Sequence, residues 1–297
     1  MLRFGLKQAG RLALGLLGAI VLAALVAAAG SHAPGLSAYA NIVVARLVAF
    51  GHLDFGTSAI TANPAWDDLA RRLPVTLELL GFGAVVAVVI GTPVGLLLSA
   101  GRVLRAGAPL LQIVAAAPVF CAGLGLLWLS ERVLHWTGAP HDTSFVSALL
   151  SGDTDAMAAE LRSVALPALT VGAAGAASIQ LALRRAVSQA ANEPYRRGLH
   201  AMGLSRFEVD SAYLFPQVVA GLFRSFGEVA SSLLSATAVA EWVFGWNGAA
   251  DLFLKSIALQ DWSVVGLVLL VFAALTLSAE FVGAMAARLL AETERLA

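Results

Sequence analysis

The sequence predicts an all-α protein that crosses a membrane six times. Hydrophobic residues make up 59% of the 297 residues and charged residues only 13%, whereas soluble domains carry about 25% charged residues. The apolar residues are gathered in six long stretches, and about 20 such residues are needed to cross the hydrocarbon core of a bilayer. Because backbone groups in lipid must form their hydrogen bonds within the segment, each stretch is expected to be a helix. This composition argues against a soluble enzyme or a nucleic-acid-binding protein.

The expected spans belong to one membrane domain that covers residues 1–297. Their approximate bounds are 12–30, 75–100, 108–130, 163–183, 216–240 and 262–287. The first span follows a basic start, as the apolar part of a secretory signal does, but its apolar run is longer than the roughly 7–15 residues of such a signal. Because five further spans follow, we expect the first helix to be retained.

Lysine and arginine residues predict the orientation of the chain. If the N-terminus is cytoplasmic, twelve of these residues fall in inner loops and termini and six in outer loops. Cytoplasmic loops of membrane proteins carry an excess of these two residues. We therefore expect both termini on the cytoplasmic side of the membrane.

The cytoplasmic loop between the fourth and fifth spans, about residues 184–215, is long for a helix connection and carries its own helix signals. Asn192 and Pro194 resemble the cap and first turn of a helix. Apolar residues then recur every three or four positions, as on one face of a helix: Ala191, Tyr195, Leu199 and Met202. The pattern predicts a short amphipathic helix over about 192–204.

This helix is expected to bend into a second one. Gly203 stands where a left-handed residue ends a helix, and Ser205 and Glu208 have the spacing of a capping box that starts the next. Such an element on the basic side of a membrane suits either a surface helix in the lipid headgroups or a docking element for another protein, and local chemistry leaves both open. A DNA-binding helix-turn-helix is disfavoured by the surrounding membrane spans.

The loop resembles the conserved loop of the inner-membrane subunits of binding-protein-dependent ABC importers. That family's pattern is E-A-A, three residues, Gly, nine residues and I-x-L-P. Gly203 and Pro216 stand thirteen positions apart, as in the pattern. The departures are Arg-Gly-Leu at 197–199 in place of E-A-A, and Tyr213 and Phe215 in place of Ile and Leu.

More of the chain resembles one branch of this family, the first (B-type) permease subunit of dipeptide and oligopeptide importers. That branch's loop reads approximately D-Y-V-R-T-A-R-A-K-G-L-S, which is matched by Tyr195, Arg197, Ala201, Gly203, Leu204 and Ser205. Short motifs that match the branch follow in the same order: D-F-G-T-S at 54–58, L-P-V-T-L-E-L at 73–79, G-T-P-V-G at 91–95, A-P-V-F at 117–120, L-P-A at 166–168 and E-W-V-F-G-W-N-G at 241–248.

The resemblance implies a type I ABC importer permease fold, an inner-membrane location in a bacterium, and three kinds of partner. These partners are a second homologous permease, two ATPase subunits and an extracytoplasmic solute-binding protein. The chain has no G-x-x-x-x-G-K-[ST] phosphate loop, so ATP and Mg²⁺ are expected on the ATPase subunits and no cofactor in this chain. The residues implied in ATPase coupling are Tyr195, Arg197, Leu199, His200, Ala201, Met202, Gly203, Leu204 and Ser205.

The expected function is therefore ATP-driven import of peptides by alternating access, with nickel or metallophores and oligosaccharides as other solutes of the same branch. Two different classes stay open: an intramembrane enzyme and a non-transporting assembly subunit. The chain has no H-E-x-x-H zinc motif, and its five histidines lie in expected loops. No catalytic and no metal-binding residue is therefore assigned.

Charged residues within the expected spans are candidates for the transport pathway. Arg224 and Glu228 are four positions apart and would share one face of a helix, and Glu280 lies in the sixth span. Because an arginine at the bilayer centre costs roughly 2.5–3.5 kcal/mol, these groups are expected to line the pathway or to form structural ion pairs. Glu241 and Phe244, in a matched motif at the outer end of the fifth span, are candidates for an outer gate or a contact with the binding protein.

Glycines are frequent in the second to fourth spans. Small residues let helices approach closely where lipid gives no hydrophobic push between them. We expect these glycines to serve helix packing: Gly81, Gly83, Gly91, Gly95, Gly123, Gly125, Gly172 and Gly175.

Overall fold

The computed structural model describes residues 2–31, 35–100, 118–134, 145–191, 202–203, 205–209 and 215–296. Within these residues the secondary structure is helical, apart from one isolated bridge between Thr57 and Pro64. The helices are α1 Leu2–Ala28, α2 Leu36–Gly51, α3 Ala65–Ala100, α4 Val119–Leu129, α5 Phe145–Ser151, α6 Thr154–Ala191, α7 Arg206–Val209, α8 Phe215–Arg224, α9 Phe226–Phe244, α10 Ala249–Ala258 and α11 Trp262–Leu296. A π-helical turn, Ser130–Leu134, follows α4.

Among the residues that the structure describes, four helices are long and apolar enough to cross a membrane: Phe4–Ala28, Ala65–Leu98, Thr154–Ala190 and Trp262–Leu290. They overlap the first, second, fourth and sixth expected spans. Of the third expected span, 108–130, the part over 108–117 lies outside the described residues. The fifth, 216–240, was expected to be continuous, but a turn at Ser225 divides it into α8 and α9.

The centre of the described bundle is the pairing of α3 with α6, against which α9 packs. Glycines lie at the closest approaches of α3 and α6. A Cβ on Gly91 would stand 2.8 Å from both the Cα and the carbonyl oxygen of Ala176. The expected packing role therefore holds for this glycine, whereas a Cβ on Gly81 would meet no atom within 4 Å.

A second pairing joins the two ends of the chain. α1 packs along α11, and a Cβ on Gly266 would stand 2.7 Å from the carbonyl oxygen of Ala23. α2, to which the sequence analysis assigned no element, packs on α1, where the Tyr39 hydroxyl donates to the carbonyl oxygen of Leu25 over 2.9 Å. Residues 36–51 are apolar enough for a membrane span but too short to cross the bilayer. For this reason hydropathy predicts no span there and places these residues in the first outer loop.

The break between α8 and α9 lies where these helices pack against α11. Gly227 directly follows the break, and a Cβ there would overlap Cγ of Glu280. Gly283, one turn further along α11, faces the carbonyl oxygen of Phe223 so closely that a Cβ would not fit. Helices α8, α9 and α11 therefore approach each other closely at two glycines, Gly227 and Gly283. The turn at Ser225 is part of this junction.

Candidate functional site

The described part of the loop expected to couple to an ATPase begins at Met202 and Gly203. Gly203 has a φ of +91°, in the left-handed region that L side chains rarely adopt, and a Cβ there would meet nothing within 4 Å. Glycine is therefore favoured by backbone conformation and not by crowding. Met202 is 78% exposed, so a long, flexible apolar side chain projects from the surface beside the turn.

The capping box predicted from the sequence is present at the start of α7. The backbone N–H and hydroxyl of Ser205 donate to Oε2 of Glu208 over 2.8 and 2.7 Å, and the N–H of Glu208 donates to the Ser205 hydroxyl over 3.3 Å. These hydrogen bonds favour the ionised carboxylate and hold the pKa of Glu208 below its ordinary value of 4.5. α7 therefore has a defined start immediately after the Gly203 turn.

The remaining predicted coupling residues lie outside the described residues: Tyr195, Arg197, Leu199, His200, Ala201 and Leu204. The same applies to most of the 192–204 helix. On the C-terminal side, Pro216 stands in the first turn of α8, at the expected mouth of the fifth span. Proline fits there because the N–H groups of a first turn have no partner within the helix.

Glu241 lies near the C-terminal end of α9 and is fully enclosed, with 0% exposure. Its Oε1 accepts the hydroxyl of Thr76 over 2.6 Å, and its Oε2 accepts the N–H groups of Ala250 and Asp251 over 2.9 and 2.8 Å. The Thr76 hydroxyl in turn accepts the N–H of Ala249 over 2.6 Å. The carboxylate thereby caps the N-terminus of α10 and links it to α3; Thr76, Glu241 and the first turn of α10 are called the Glu241 cluster below.

Gly248 completes the Glu241 cluster. A Cβ at this position would overlap the Glu241 carboxyl group, so the glycine of the E-W-V-F-G-W-N-G motif leaves the space that the carboxylate occupies. α9 ends at Gly245, whose φ is +67°, and the N–H of Trp246 returns to the carbonyl oxygen of Glu241 over 2.7 Å. The motif therefore encodes the sharp turn from α9 to α10.

This geometry corrects one of the two roles expected for Glu241. A carboxylate with no exposed surface and three donors from its own subunit does not contact a binding protein in this conformation. Phe244 is half-buried and packs against the core between α3, α6 and α9. A part in an outer gate stays a prediction for both residues.

Further polar contacts at the same end escaped the sequence analysis. Asp251, in the first turn of α10, pairs with Arg72 of α3 at 3.3 Å and with Lys255 at 2.6 Å. Asp251 and Lys255 are four positions apart in the sequence, which allows an ion pair only within a helix. The sequence analysis predicted no helix over these residues, so this pair was not expected. Asp261 accepts the Ser58 hydroxyl over 2.5 Å across 203 positions of sequence, a pairing that no local pattern reveals.

The charged residues of the fifth and sixth spans meet at the other end of the molecule. Arg224, Glu228 and Glu280 line one cavity of about 400 Å³, together with Gln8 and Arg11 of α1. Among the described residues no group of three or more histidine, cysteine, aspartate or glutamate side chains is arranged to hold a metal ion.

Of the two roles predicted for Arg224 and Glu228, lining a pathway or forming a structural ion pair, an ion pair between these two residues is not formed. Arg224 is the last residue of α8 and Glu228 lies in the first turn of α9, so the turn at Ser225 removes the four-residue register. Glu228 pairs instead with Arg185 of α6, at 3.0 Å, and both side chains are exposed.

Comparisons with known proteins agree with this architecture. Residues 83–292 match the family of the binding-protein-dependent transport system inner membrane component. The chain is 31% identical to the probable D,D-dipeptide transport system permease protein DdpB of Escherichia coli (strain K12) over 232 residues, which cover 72% of this chain and 68% of that protein.

Two further relatives match similar shares of their length. The oligopeptide transport system permease protein OppB of Mycobacterium tuberculosis (strain ATCC 25618 / H37Rv) is 26% identical over 80% of this chain and 73% of that protein. The putrescine export system permease protein SapB of Escherichia coli (strain K12) is 25% identical over 79% of this chain and 80% of that protein.

Proposed function

The chain belongs to the family of binding-protein-dependent transport system inner membrane components, and we propose that it forms half of the membrane pathway of an ATP-driven peptide importer. Membership makes the protein a multi-pass transport permease and not an enzyme, with the type I ABC importer permease fold. Three relatives described as D,D-dipeptide, oligopeptide and di/tripeptide permeases support a peptide as the solute.

The proposed assembly contains four kinds of subunit. This chain pairs with a second homologous permease, two ATPase subunits bind and hydrolyse ATP with Mg²⁺ on the cytoplasmic face, and a solute-binding protein delivers the peptide from outside. The lack of a phosphate loop in the sequence supports hydrolysis on separate chains.

Coupling to the ATPases is assigned to the 192–205 segment. The observation that carries this assignment is the exposed Met202 beside Gly203, whose φ of +91° turns the chain directly into the capped start of α7. An apolar side chain held on a turn at the surface is suited to fill a pocket on a partner protein. The residues proposed for this contact are Tyr195, Arg197, Leu199, His200, Ala201, Met202, Gly203, Leu204 and Ser205.

The proposed mechanism is alternating access. ATP binding favours one arrangement of the two ATPases, and a ligand shifts a two-state equilibrium only through its different affinity for the two states. The 192–205 segment transmits this arrangement to the two permease halves, which then open outward and receive the peptide. The residues around Gly203 therefore carry coupling and no chemistry.

Two substitutions test the coupling role. In the reconstituted transporter, Gly203→Asp, which places a Cβ at a φ of +91°, and Leu199→Glu, which puts a charge on the apolar stripe, should each abolish ATP-driven uptake of a labelled dipeptide. Membrane insertion and basal ATP hydrolysis should stay close to the unmodified level.

A matched control is available on the opposite side of the molecule. Gly152 has a φ of +70°, is exposed, and a Cβ there would meet nothing within 4 Å, so Gly152→Asp imposes the same backbone strain away from the coupling segment. Uptake should survive in this control. Uptake that survives in Gly203→Asp and Leu199→Glu as well would refute the docking role.

A further inference from the structure

A charged cavity at one end of the bundle is not used by the function proposed above. It lies between α1, the α8–α9 junction and α11, and encloses about 400 Å³. Its polar wall is formed by Gln8, Arg11, Arg224, Glu228 and Glu280, and its apolar wall includes Leu12, Leu277 and Phe281. We call it the charged cavity.

Three of the charges in this cavity have no counterion within the described part of the chain. Glu228 is neutralised by Arg185, whereas Arg11, Arg224 and Glu280 form no ion pair with another described residue. Two guanidinium groups and one carboxylate therefore face the cavity, all three exposed. This set is complementary to a ligand with an anionic group next to a cationic one.

The position of Glu280 is set by packing. Its Cγ lies against Gly227, where any larger residue would overlap it. The stem of the glutamate therefore occupies the space that the glycine leaves at the α8–α9 junction, and Glu280 lines the cavity together with Arg224.

The depth of the cavity matches the headgroup region of a bilayer. Glu280 lies 18 residues along α11 from Trp262, the first residue of that helix (280 − 262), which is about 27 Å at about 1.5 Å per residue. A hydrocarbon core is about 30 Å thick, so with Trp262 at the outer boundary Glu280 comes close to the inner one. Arg11 belongs to the basic N-terminal stretch on the same side, which the lysine and arginine count makes cytoplasmic.

We propose that the charged cavity binds the headgroup of an inner-leaflet phospholipid, with the phosphodiester at Arg11 and Arg224 and an ammonium group at Glu280. Basic pockets between helices on the cytoplasmic side recur as headgroup sites in membrane proteins. The carboxylate selects phosphatidylethanolamine over phosphatidylglycerol, which has no cation to offer. The lipid would join α1 to the junction of α8 and α9.

Native mass spectrometry of the full-length chain in detergent tests this proposal with three lipids: phosphatidylethanolamine, phosphatidylglycerol and phosphatidylcholine. The double variant Arg11→Gln, Arg224→Gln should bind phosphatidylethanolamine about 25-fold more weakly, since each of the two basic residues near a lipid phosphate contributes about fivefold. Glu280→Gln should keep phospholipid binding but lose the preference for phosphatidylethanolamine over phosphatidylglycerol. The matched control is Arg162→Gln, at an exposed position in the N-terminal part of α6. It should change neither the affinity for phosphatidylethanolamine nor the preference for it over phosphatidylglycerol.

Four outcomes would overturn the proposal. Equal lipid binding by the double variant and the unmodified chain removes the arginine contact, and an equal loss in Arg162→Gln makes the effect one of net charge. Displacement of the lipid by inorganic phosphate assigns the cavity to a soluble anion. Displacement by a dipeptide assigns it to the transported solute and to the translocation pathway. Because binding is measured without ATP or partners, this test is independent of the uptake experiment.

Discussion

At the scale of single residues, Glu241 connects three helices, α3, α9 and α10, through its hydrogen bonds. Its carboxylate receives one hydroxyl from α3 and two N–H groups from α10 while it is fully buried. Buried polar groups that lose a partner cost more than the hydrogen bond was worth. The sequence motif identifies Glu241 and Gly248, but Thr76 lies 165 positions away and becomes a partner only in the folded chain.

Thr76→Val should destabilise the protein by about 1–3 kcal/mol, because the change leaves both the carboxylate and the N–H of Ala249 short of a partner. Thermal unfolding of the purified chain in detergent measures this loss. Thr237→Val is the matched control, since Thr237 is equally buried but its hydroxyl bonds only to the carbonyl oxygen of Leu233 in its own helix. A loss of stability in the control as large as that in Thr76→Val would contradict the role of the Glu241 cluster.

Glu208 gives a pH dependence at the start of α7. Its pKa is lowered by the hydrogen bonds from Ser205, so the cap contributes stability above the unfolded-state pKa, and this contribution is lost as the pH falls through the folded-state pKa. Amide hydrogen exchange over 205–209, corrected for intrinsic rates, should therefore lose protection on acidification. Glu208→Gln should remove the pH dependence, and a pH dependence that persists in this variant would disprove the assignment to Glu208.

At the scale of elements, the α3–α6 pair depends on glycines whose Cβ would reach backbone atoms of the opposite helix. The composition of the spans predicts close packing, but it does not separate the glycines at the contact from those outside it. Gly91 and Gly81 stand on the same helix, yet a Cβ would meet Ala176 at 2.8 Å in one case and nothing within 4 Å in the other.

Gly91→Ala should destabilise the purified chain by about 1–3 kcal/mol, the typical cost of overpacking a tight contact. Because the atoms that the new Cβ would meet belong to the backbone of α6, the helices must move apart to accept it. Gly81→Ala makes the same chemical change at an exposed position and should be neutral or stabilise by about 0.5–1 kcal/mol, the helix preference of alanine over glycine. Thermal unfolding of Gly91→Ala and Gly81→Ala under the same conditions measures the two changes in stability. Equal changes would contradict the proposed role of Gly91 in the contact between α3 and α6.

At the scale of the whole molecule, the distribution of lysine and arginine predicts the orientation in the membrane. The polar contacts of Glu241, Asp251 and Asp261 lie at one end of the bundle, and the charged cavity lies at the other. The excess of arginine and lysine belongs to the second end, which is the cytoplasmic one if the chain follows the usual distribution.

Cysteine labelling checks this orientation. In a Cys121→Ser background, Leu150→Cys and Met202→Cys introduce thiols at positions that are 83% and 78% exposed. A membrane-impermeant maleimide should label the first in spheroplasts and the second only after permeabilisation. Because the two sites are almost equally exposed, the difference reports the side of the membrane; the reverse pattern would invert the topology.

The class of this protein could be predicted from its amino-acid sequence alone. Composition and hydropathy gave an all-α membrane chain because the bilayer imposes length and apolarity on each span separately. The Gly203 turn and the Ser205–Glu208 box could also be predicted, since a left-handed residue and a capping box depend on neighbouring residues alone. The short motifs that resemble the family could likewise be recognised from neighbouring residues alone.

Contacts between groups that are distant in sequence could be found only in the folded chain. The pairing of Glu228 with Arg185, the hydrogen bond between Thr76 and Glu241 and the charged cavity each join helices that are far apart in sequence. Helices α2 and α10 have 16 and 10 residues, so both are too short to be recognised as membrane spans. The start of α10 is held by the carboxylate of Glu241, which belongs to α9. Such contacts arise when helices pack, and periodicity along one segment carries no information about the partner on another.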